Sequence, residues 1–315
     1  MHRRRFLFAV GAMALPLAGL AQRSPARIAV VSLVNAEPHV GFFRQMMGEL
    51  GYREGENVVI DVRSAEGKQP ELEKLAADVV AQRPDVIVTY QTPAVLAAGK
   101  ATRTIPIVMM GVGDPVGMHL VASYARPGGN ITGIGGATPA AGAKTLELLR
   151  DLLPKMRRIA VLANASDPFM KPFVAQLESA AASLGLELRV APVRSVEEYE
   201  AHFSRWEKQT QAVIVQPSLN RFRAAALALK HRLPSVAPSV QFVQAGGLMS
   251  YGNSPRELAR KAAVFADRIL KGAAPGELPV EQPSVFELVV NLKTARALGI
   301  HLPPAIIARA DGIIQ

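Results

Sequence analysis

Continuous apolar runs of strand length alternate with apolar stripes of helical period along most of this chain. RIAVVSL (27–33) lacks polar/apolar alternation, so it reads as a strand buried on both faces. In VGFFRQMMGEL (40–50), Phe43, Met46, Met47 and Leu50 fall on one helical face. NVVIDVRS is a second strand, and PELEKLAADVVAQ is an amphipathic helix with Pro70 near its first turn. Pro84-Asp85 leads into strand VIVTY (86–90), a helix over 93–101 and strand IPIVMMG. Beyond RPGGNITGIGG (126–136) the rhythm restarts. Helix AKTLELLRDLL is followed by strand RRIAVLAN (157–164), helix 168–184, strand LELRVAPV, helix 196–208, strand AVIVQPS, helix 220–231 and a short strand near PSVAPS.

Two β-α-β-α blocks with continuous apolar strands predict an α/β protein of two Rossmann-like, doubly wound parallel-sheet lobes. The Gly-rich segment 128–136 is the first candidate crossing between them. GGLMSYGNSP (246–255) is the second, and it precedes one long helix, RELARKAAVFADRILKG. Pro275, Pro279 and Pro283 punctuate a third, before FELVVNLKTARALGIHLPP. The expected division is a leader over 1–21, a first lobe of 26–138 plus 250–275, and a second lobe of 139–249 plus 276–315.

The leader is expected because MHRRRFLFAVGAMALPLAGLAQ has a basic start, an apolar stretch interrupted by Pro16, and a small-x-small site ending at Ala21. The stretch is short for a membrane anchor. RRRFL resembles a twin-arginine export signal, though His2 stands where that pattern has Ser or Thr, so twin-arginine and general secretory export both stay open. Either route, with cleavage near Ala21, leads to a periplasm. There is no cysteine, so neither a disulfide framework nor a lipid on an N-terminal cysteine is available. The formal net charge is +10, and cleavage removes three arginines and no acid. The remaining basic residues are scattered without aromatic interleaving, which predicts a solvated basic surface and no nucleic-acid partner.

No catalytic or cofactor motif is complete. GVGDPVG (111–117) is one residue off a dinucleotide loop, places Asp114 where a pyrophosphate would sit, and has no acidic residue about 20 positions on. GLMSYG (247–252) has the spacing G-x-x-S-x-G rather than that of a nucleophile elbow. None of the six histidines is paired at metal-ligand spacing. The expectation is no catalytic residue, no metal and no cofactor. What remains is a set of polar clusters after the strands, where ligands bind in open α/β sheets: Ser32 and Asn35; Tyr90, Gln91 and Thr92; Asp114; Asn164, Ser166 and Asp167; Gln216 and Ser218. Several also read as helix caps, above all Thr92 before Pro93 and Asp114 before Pro115.

GELGYREGENVVIDVRSAEG, PDVIVTYQTPAVLAAGKATRTIPIVMMGVGDPVG, RPGGNITGI and the run from GGLMSYG through LPVEQPSVFELVVNLKTARALGI resemble the periplasmic substrate-binding proteins of ABC transporters. The subgroup is the one that includes tryptophan- and aromatic-amino-acid-binding members, and the resemblance spans about 27–312. It implies a type I periplasmic-binding fold, with two lobes joined by three crossovers and the ligand between them. It also implies an amino acid or related small molecule as ligand, hinge closure on it, and delivery to a membrane permease by a monomeric receptor. The expected ligand-binding residues are Ser32, Asn35, Tyr90, Gln91, Thr92, Asp114, Asn164, Ser166, Gln216 and Tyr251, with Met110 and Phe169 adding apolar surface. Because Asn164 and Gln216 are neutral, Asp114 is the main candidate counter-ion for an ammonium. Two other readings keep the fold: a sensory partner of a membrane signalling protein, and a hydrolase using Ser250.

Overall fold

The structure is a computed structural model that describes residues 24–136 and 139–315. The first sheet contains β1 (Ala26–Ser32), β2 (Val58–Ser64), β3 (Val86–Tyr90), β4 (Ile107–Val112) and β5 (Ile131–Gly135). All its pairings are parallel, in the order β2-β1-β3-β4-β5. Helices α1 (His39–Glu49), α2 (Gln69–Ala81) and α3 (Thr92–Ala101) connect these strands. The second lobe starts with α4 (Pro139–Leu152), β6 (Arg158–Asn164), α5 (Met170–Ser183) and β7 (Glu187–Val193). It continues with α6 (Tyr199–Trp206), β8 (Ala212–Val215), α7 (Arg221–Lys230), β9 (Ser235–Ala237), α8 (Val240–Gln244) and β10 (Met249–Asn253). After α9 (Pro255–Leu270) come β11 (Phe286–Asn291), α10 (Leu292–Leu298), α11 (Pro304–Arg309) and β12 (Gly312–Ile314).

The second sheet runs β12-β11-β10-β9-β8-β6-β7. Its part β7-β6-β8-β9-β10 repeats the first sheet's order, and β11 joins antiparallel to β10. Each sheet therefore reverses its direction of strand addition once, between β1 and β3 and between β6 and β8. At such a point the connections leave on opposite faces and open a crevice at the carboxyl edge. Both faces are covered. Val30, Val88 and Met110 pack with α1 and α9 on one side of the first sheet, while Val31, Ile87 and Met109 pack with α2 and α3 on the other. This two-sided burial is why β1 and β3 carry no polar alternation, and each fully buried Val, Leu or Ile side chain stabilises the lobe by about 1.5–3 kcal/mol.

The structure departs from the expected crossing segments in three places. The Gly-rich stretch is not itself the first crossing: Ile131–Gly135 is a buried strand paired with β4. The second lobe begins after it, with α4 at Pro139, and residues 137–138 lie outside the described residues. Residues 250–253 belong to β10 in the second sheet, so the second crossing is at Asn253–Ser254. Ser254 then caps α9 by accepting from the Glu257 amide at 3.3 Å, a local signal in SPRE that fixes where the long helix starts. Residues 278–281 stay on the first lobe rather than the second. Thr132 Oγ1 donates to the Leu278 carbonyl at 2.7 Å, and the Gly135 and Glu281 amides each bond across to the other segment at 3.0 Å. The third crossing thus follows Glu281. The leader expected over 1–21 lies outside the described residues, and among those described no helix is long and apolar enough to cross a membrane.

Candidate functional site

The carboxyl edges of the two sheets face one another across a cavity of about 180 Å³. An apolar protein cavity of about 150 Å³ is enough to take up a benzene ring.

The first lobe contributes the end of β3 and the start of α3. Tyr90 is buried there, with its ring centroid 4.3 Å from that of His39 at the head of α1. Burial raises the Tyr90 phenol above its usual range, and the nearby Arg221 guanidinium opposes this. Gln91, not Thr92, holds the cap position of α3, and no side chain caps that end. Thr92 is already helical, and its Oγ1 accepts from the Gly113 amide at 3.3 Å, tying the ends of β3 and β4 together.

The second lobe contributes a carboxylate. Asp167 lines the cavity and is 5% exposed. Its Oδ2 accepts from Gln216 Nε2 at 2.8 Å and from the Ser218 hydroxyl at 2.7 Å. Among the described residues its Oδ1 accepts only from the Phe169 amide, at 2.9 Å. The orientation of Gln216 is fixed because its Oε1 accepts from the Asn164 amide at 2.8 Å. Burial holds the Asp167 carboxyl above the usual carboxylate range, opposed by the bonds from Ser218, the Phe169 amide and Gln216. A carboxylate oxygen has room for two donors, so Oδ1 keeps an acceptor site for a third group.

Phe169, Phe173, Leu177, Tyr251 and Phe286 make the apolar wall. The Tyr251 and Phe286 rings stack at 5.8 Å with a 19° interplanar angle. From the first lobe Gly113 comes so close that a Cβ on it would stand 2.3 Å from the Phe169 ring. Glycine here permits the lobes to meet. Gly113→Ala is expected to weaken ligand affinity several-fold without lowering the melting temperature of the ligand-free protein, since only the closed form has the clash. Equal affinity of variant and parent by calorimetry would contradict this.

The cleft is closed. Arg221 Nη2 on α7 donates to the Asn35 carbonyl at 2.8 Å. Gln241 Nε2 on α8 donates to the Glu37 carbonyl at 2.5 Å and lies 3.2 Å from His39 Nδ1. Gln91 Nε2 donates to the Pro217 carbonyl at 3.4 Å.

Of the expected site residues, Tyr90, Gln91, Thr92, Gln216 and Tyr251 line the cavity, and Ser32, Asn35, Asp114, Asn164 and Ser166 do not. Ser32 is buried under the β1–β2 edge, with its hydroxyl directed at the Arg63 carbonyl at 3.4 Å. Asn35 is exposed and serves as Arg221's anchor. Asp114 is not placed as the counter-ion: its Oδ1 accepts from the Gly117 amide at 2.9 Å, the local cap its position before Pro115 suggested. Asn164 stands behind the wall, orienting Gln216 and accepting from the Ser166 amide at 3.0 Å, while Ser166 itself is exposed. Met110 is in the core. Ser250 is 2% exposed within β10, and among the described residues no histidine is bonded to it, so the hydrolase geometry is absent. Cavity residues missing from the expected set include Asp167, His39, Ser218 and Gln241. Asp167 and Ser218 stood in the polar clusters after β6 and β8; His39 and Gln241 gave no signal.

A family model for ABC transporter substrate binding protein matches residues 28–314. The "Tyrosine-binding protein" of Clostridioides difficile (strain R20291) is 30% identical over 264 residues, covering 82% of this chain and 76% of that protein. The ABC domain in complex with L-Trp from Streptococcus pneumonia superposes with a TM-score of 0.83 at 27% identity, covering 92% of this chain and all of that one. A ligand-free, open substrate binding protein from Clostridium difficile superposes with a TM-score of only 0.65 at 25% identity, covering 92% and 99%. At similar identity, the lower score against an open form agrees with the bridged, closed cleft seen here. The chain belongs to the family of ABC transporter substrate binding proteins.

Proposed function

We propose that this chain is the exported receptor of an ABC importer and that it captures an α-amino acid with an aromatic side chain. The observation that carries this is Asp167, a buried carboxylate with an unfilled acceptor site, set in the same cavity as the uncapped start of α3 and a wall of aromatic rings. Asp167 suits an ammonium. The free amides and partial positive charge of the α3 start suit a carboxylate, and the rings suit an aromatic side chain. Relatives that bind tyrosine and L-Trp support the ligand class. The leader over 1–21 with cleavage near Ala21, the monomeric state and the absence of turnover and of nucleic-acid binding belong to the same proposal, supported by the leader's composition and by a family of solute receptors.

The test is calorimetry on purified protein stripped of co-purified ligand, with L-Trp, L-Tyr, L-Phe, L-Leu, L-Glu and glucose. At least one aromatic amino acid is expected to bind more tightly than L-Leu or L-Glu. It should also raise the melting point, since a ligand at 100 times its Kd stabilises by about 2.7 kcal/mol. Binding of none of the aromatic amino acids would overturn the ligand assignment while leaving the receptor role in place.

A further inference from the structure

Gln91 combines three features that no other residue of the cavity shares. Its backbone lies at φ 68°, ψ 166°, a region left almost entirely to glycine. A strained residue persists only where its surroundings over-determine it, and such residues gather at ligand clamps. Second, its side chain crosses the cleft. The partner of its amide is the Pro217 carbonyl of the second lobe, at 3.4 Å. A carbonyl can only accept, so the NH₂ end must point there, and the orientation of the amide is fixed. Third, the other end, Oε1, is thereby an acceptor. It is buried and, among the described residues, has no hydrogen-bond partner, on a residue 9% exposed that lines the cavity. Leaving such an acceptor empty is unfavourable, and native structures do so rarely.

We infer that Gln91 couples ligand recognition to lobe closure: Oε1 accepts from the ligand's ammonium while Nε2 holds the second lobe. The inference rests on the amino-acid ligand proposed above. The ammonium of an α-amino acid is attached to the carbon next to its carboxylate. A carboxylate at the start of α3 therefore brings the ammonium beside Gln91, with Asp167 closing on it from the other lobe. One amide then reads the ligand and the domain position together. Gln91 is kept in a glycine conformation for this and not for folding, because glycine would take the same backbone without strain.

Two substitutions separate these roles. Gln91→Gly removes the side chain and the strain. Gln91→Met keeps the bulk and removes both polar atoms. Calorimetry would use the aromatic L-amino acid that binds best and its desamino analogue, the corresponding 3-arylpropionate, alongside melting of the ligand-free proteins. Both variants are expected to bind the amino acid about tenfold or more weakly, as for a lost hydrogen bond to a charged group. They should bind the arylpropionate only about threefold more weakly, the cost of the lost Nε2 bond to the second lobe, since that ligand lacks the charged donor; unchanged arylpropionate binding overturns the role of Nε2. Ligand-free Gln91→Gly should melt higher than the parent. Unchanged amino-acid binding in both variants, or equal losses for both ligands, overturns the role of Oε1. A lower melting point for Gln91→Gly overturns the strain account. Failure of the parent protein to bind any aromatic amino acid would instead strike the proposed ligand, and the ammonium contact with it.

Discussion

Substituting Asp167 by alanine is expected to weaken ligand binding by between about 30-fold and about 4,000-fold, the range found when one partner of a buried, hydrogen-bonded charge pair is truncated. The carboxylate cannot be replaced by its neighbours. Gln216 and Ser218 both donate to it, and Asn164 holds Gln216 in the donating orientation. Without the carboxylate the wall presents donors to a ligand ammonium. Asp167→Asn tests charge apart from shape and should lose most of the same affinity. The sign for stability is opposite. Burial, the largest influence on this group, raises its pKa in the folded protein. The unfolded chain therefore ionises at lower pH than the folded one, and stability falls as pH rises through the unfolded value and up to the folded one. At neutral pH the ionised carboxylate is a standing destabilisation of the ligand-free protein. Ligand-free Asp167→Asn should accordingly melt at or above the parent temperature, while its ligand no longer raises the melting point. A variant that melts well below the parent, or one that keeps full affinity, would show Asp167 to be a structural residue.

The sequence carried the lobes because burial on both faces writes continuous apolar runs into β1, β3, β6 and β8. It hid β5 for the opposite reason. Gly133 lies there at φ 121°, and a Cβ on it would stand 2.4 Å from the Met109 carbonyl oxygen, so the strand needs the residue that strand propensity counts against. The site was legible as a set of clusters and not as a choice within them. After β6, Asn164, Ser166 and Asp167 look alike in the sequence. The loop turns Asn164 back to bond the Ser166 amide, leaves Ser166 in solvent and points Asp167 inward. Asp114, which stands equally well at a strand end, spends its carboxylate on the Gly117 amide three residues on. Contacts between distant segments left no local trace at all. His39 and Gln241 are 202 positions apart and meet only because the lobes close.

That meeting has a consequence in acid. Ligand binding is expected to weaken by about 25-fold between pH 7 and pH 5, if the open form returns His39 to the ordinary value near 6.5 and closure requires it neutral. In the closed cleft His39 is pushed down to about 3, chiefly by burial. Arg221 pushes the same way and the Ala36 backbone opposes. Two groups of the second lobe favour the neutral form: Gln241 directs its Nε2 at Nδ1, and the Arg221 cation is near; the Tyr90 ring packs beside the imidazole. Neither Tyr90, whose phenol is raised, nor Arg221 changes charge between pH 5 and 7. Parting the lobes takes away Gln241 and Arg221 and lets water reach the ring. Closure then sheds a proton whenever the pH is below about 6.5, and each further unit lowers the closing equilibrium about tenfold until the closed-state value is approached. The stability of the closed form is thus complete above that point and lost as pH falls from about 6.5 towards 3. Protonation of Asp167 adds to the loss at the acid end. His39→Asn keeps an acceptor for Gln241 but cannot titrate, so it should abolish the step centred near pH 6.5 and leave the Asp167 component. Calorimetric Kd values at pH 7, 6 and 5 decide the matter. A change below about threefold in the parent, or the same slope in His39→Asn, would show that closure moves no proton through this histidine.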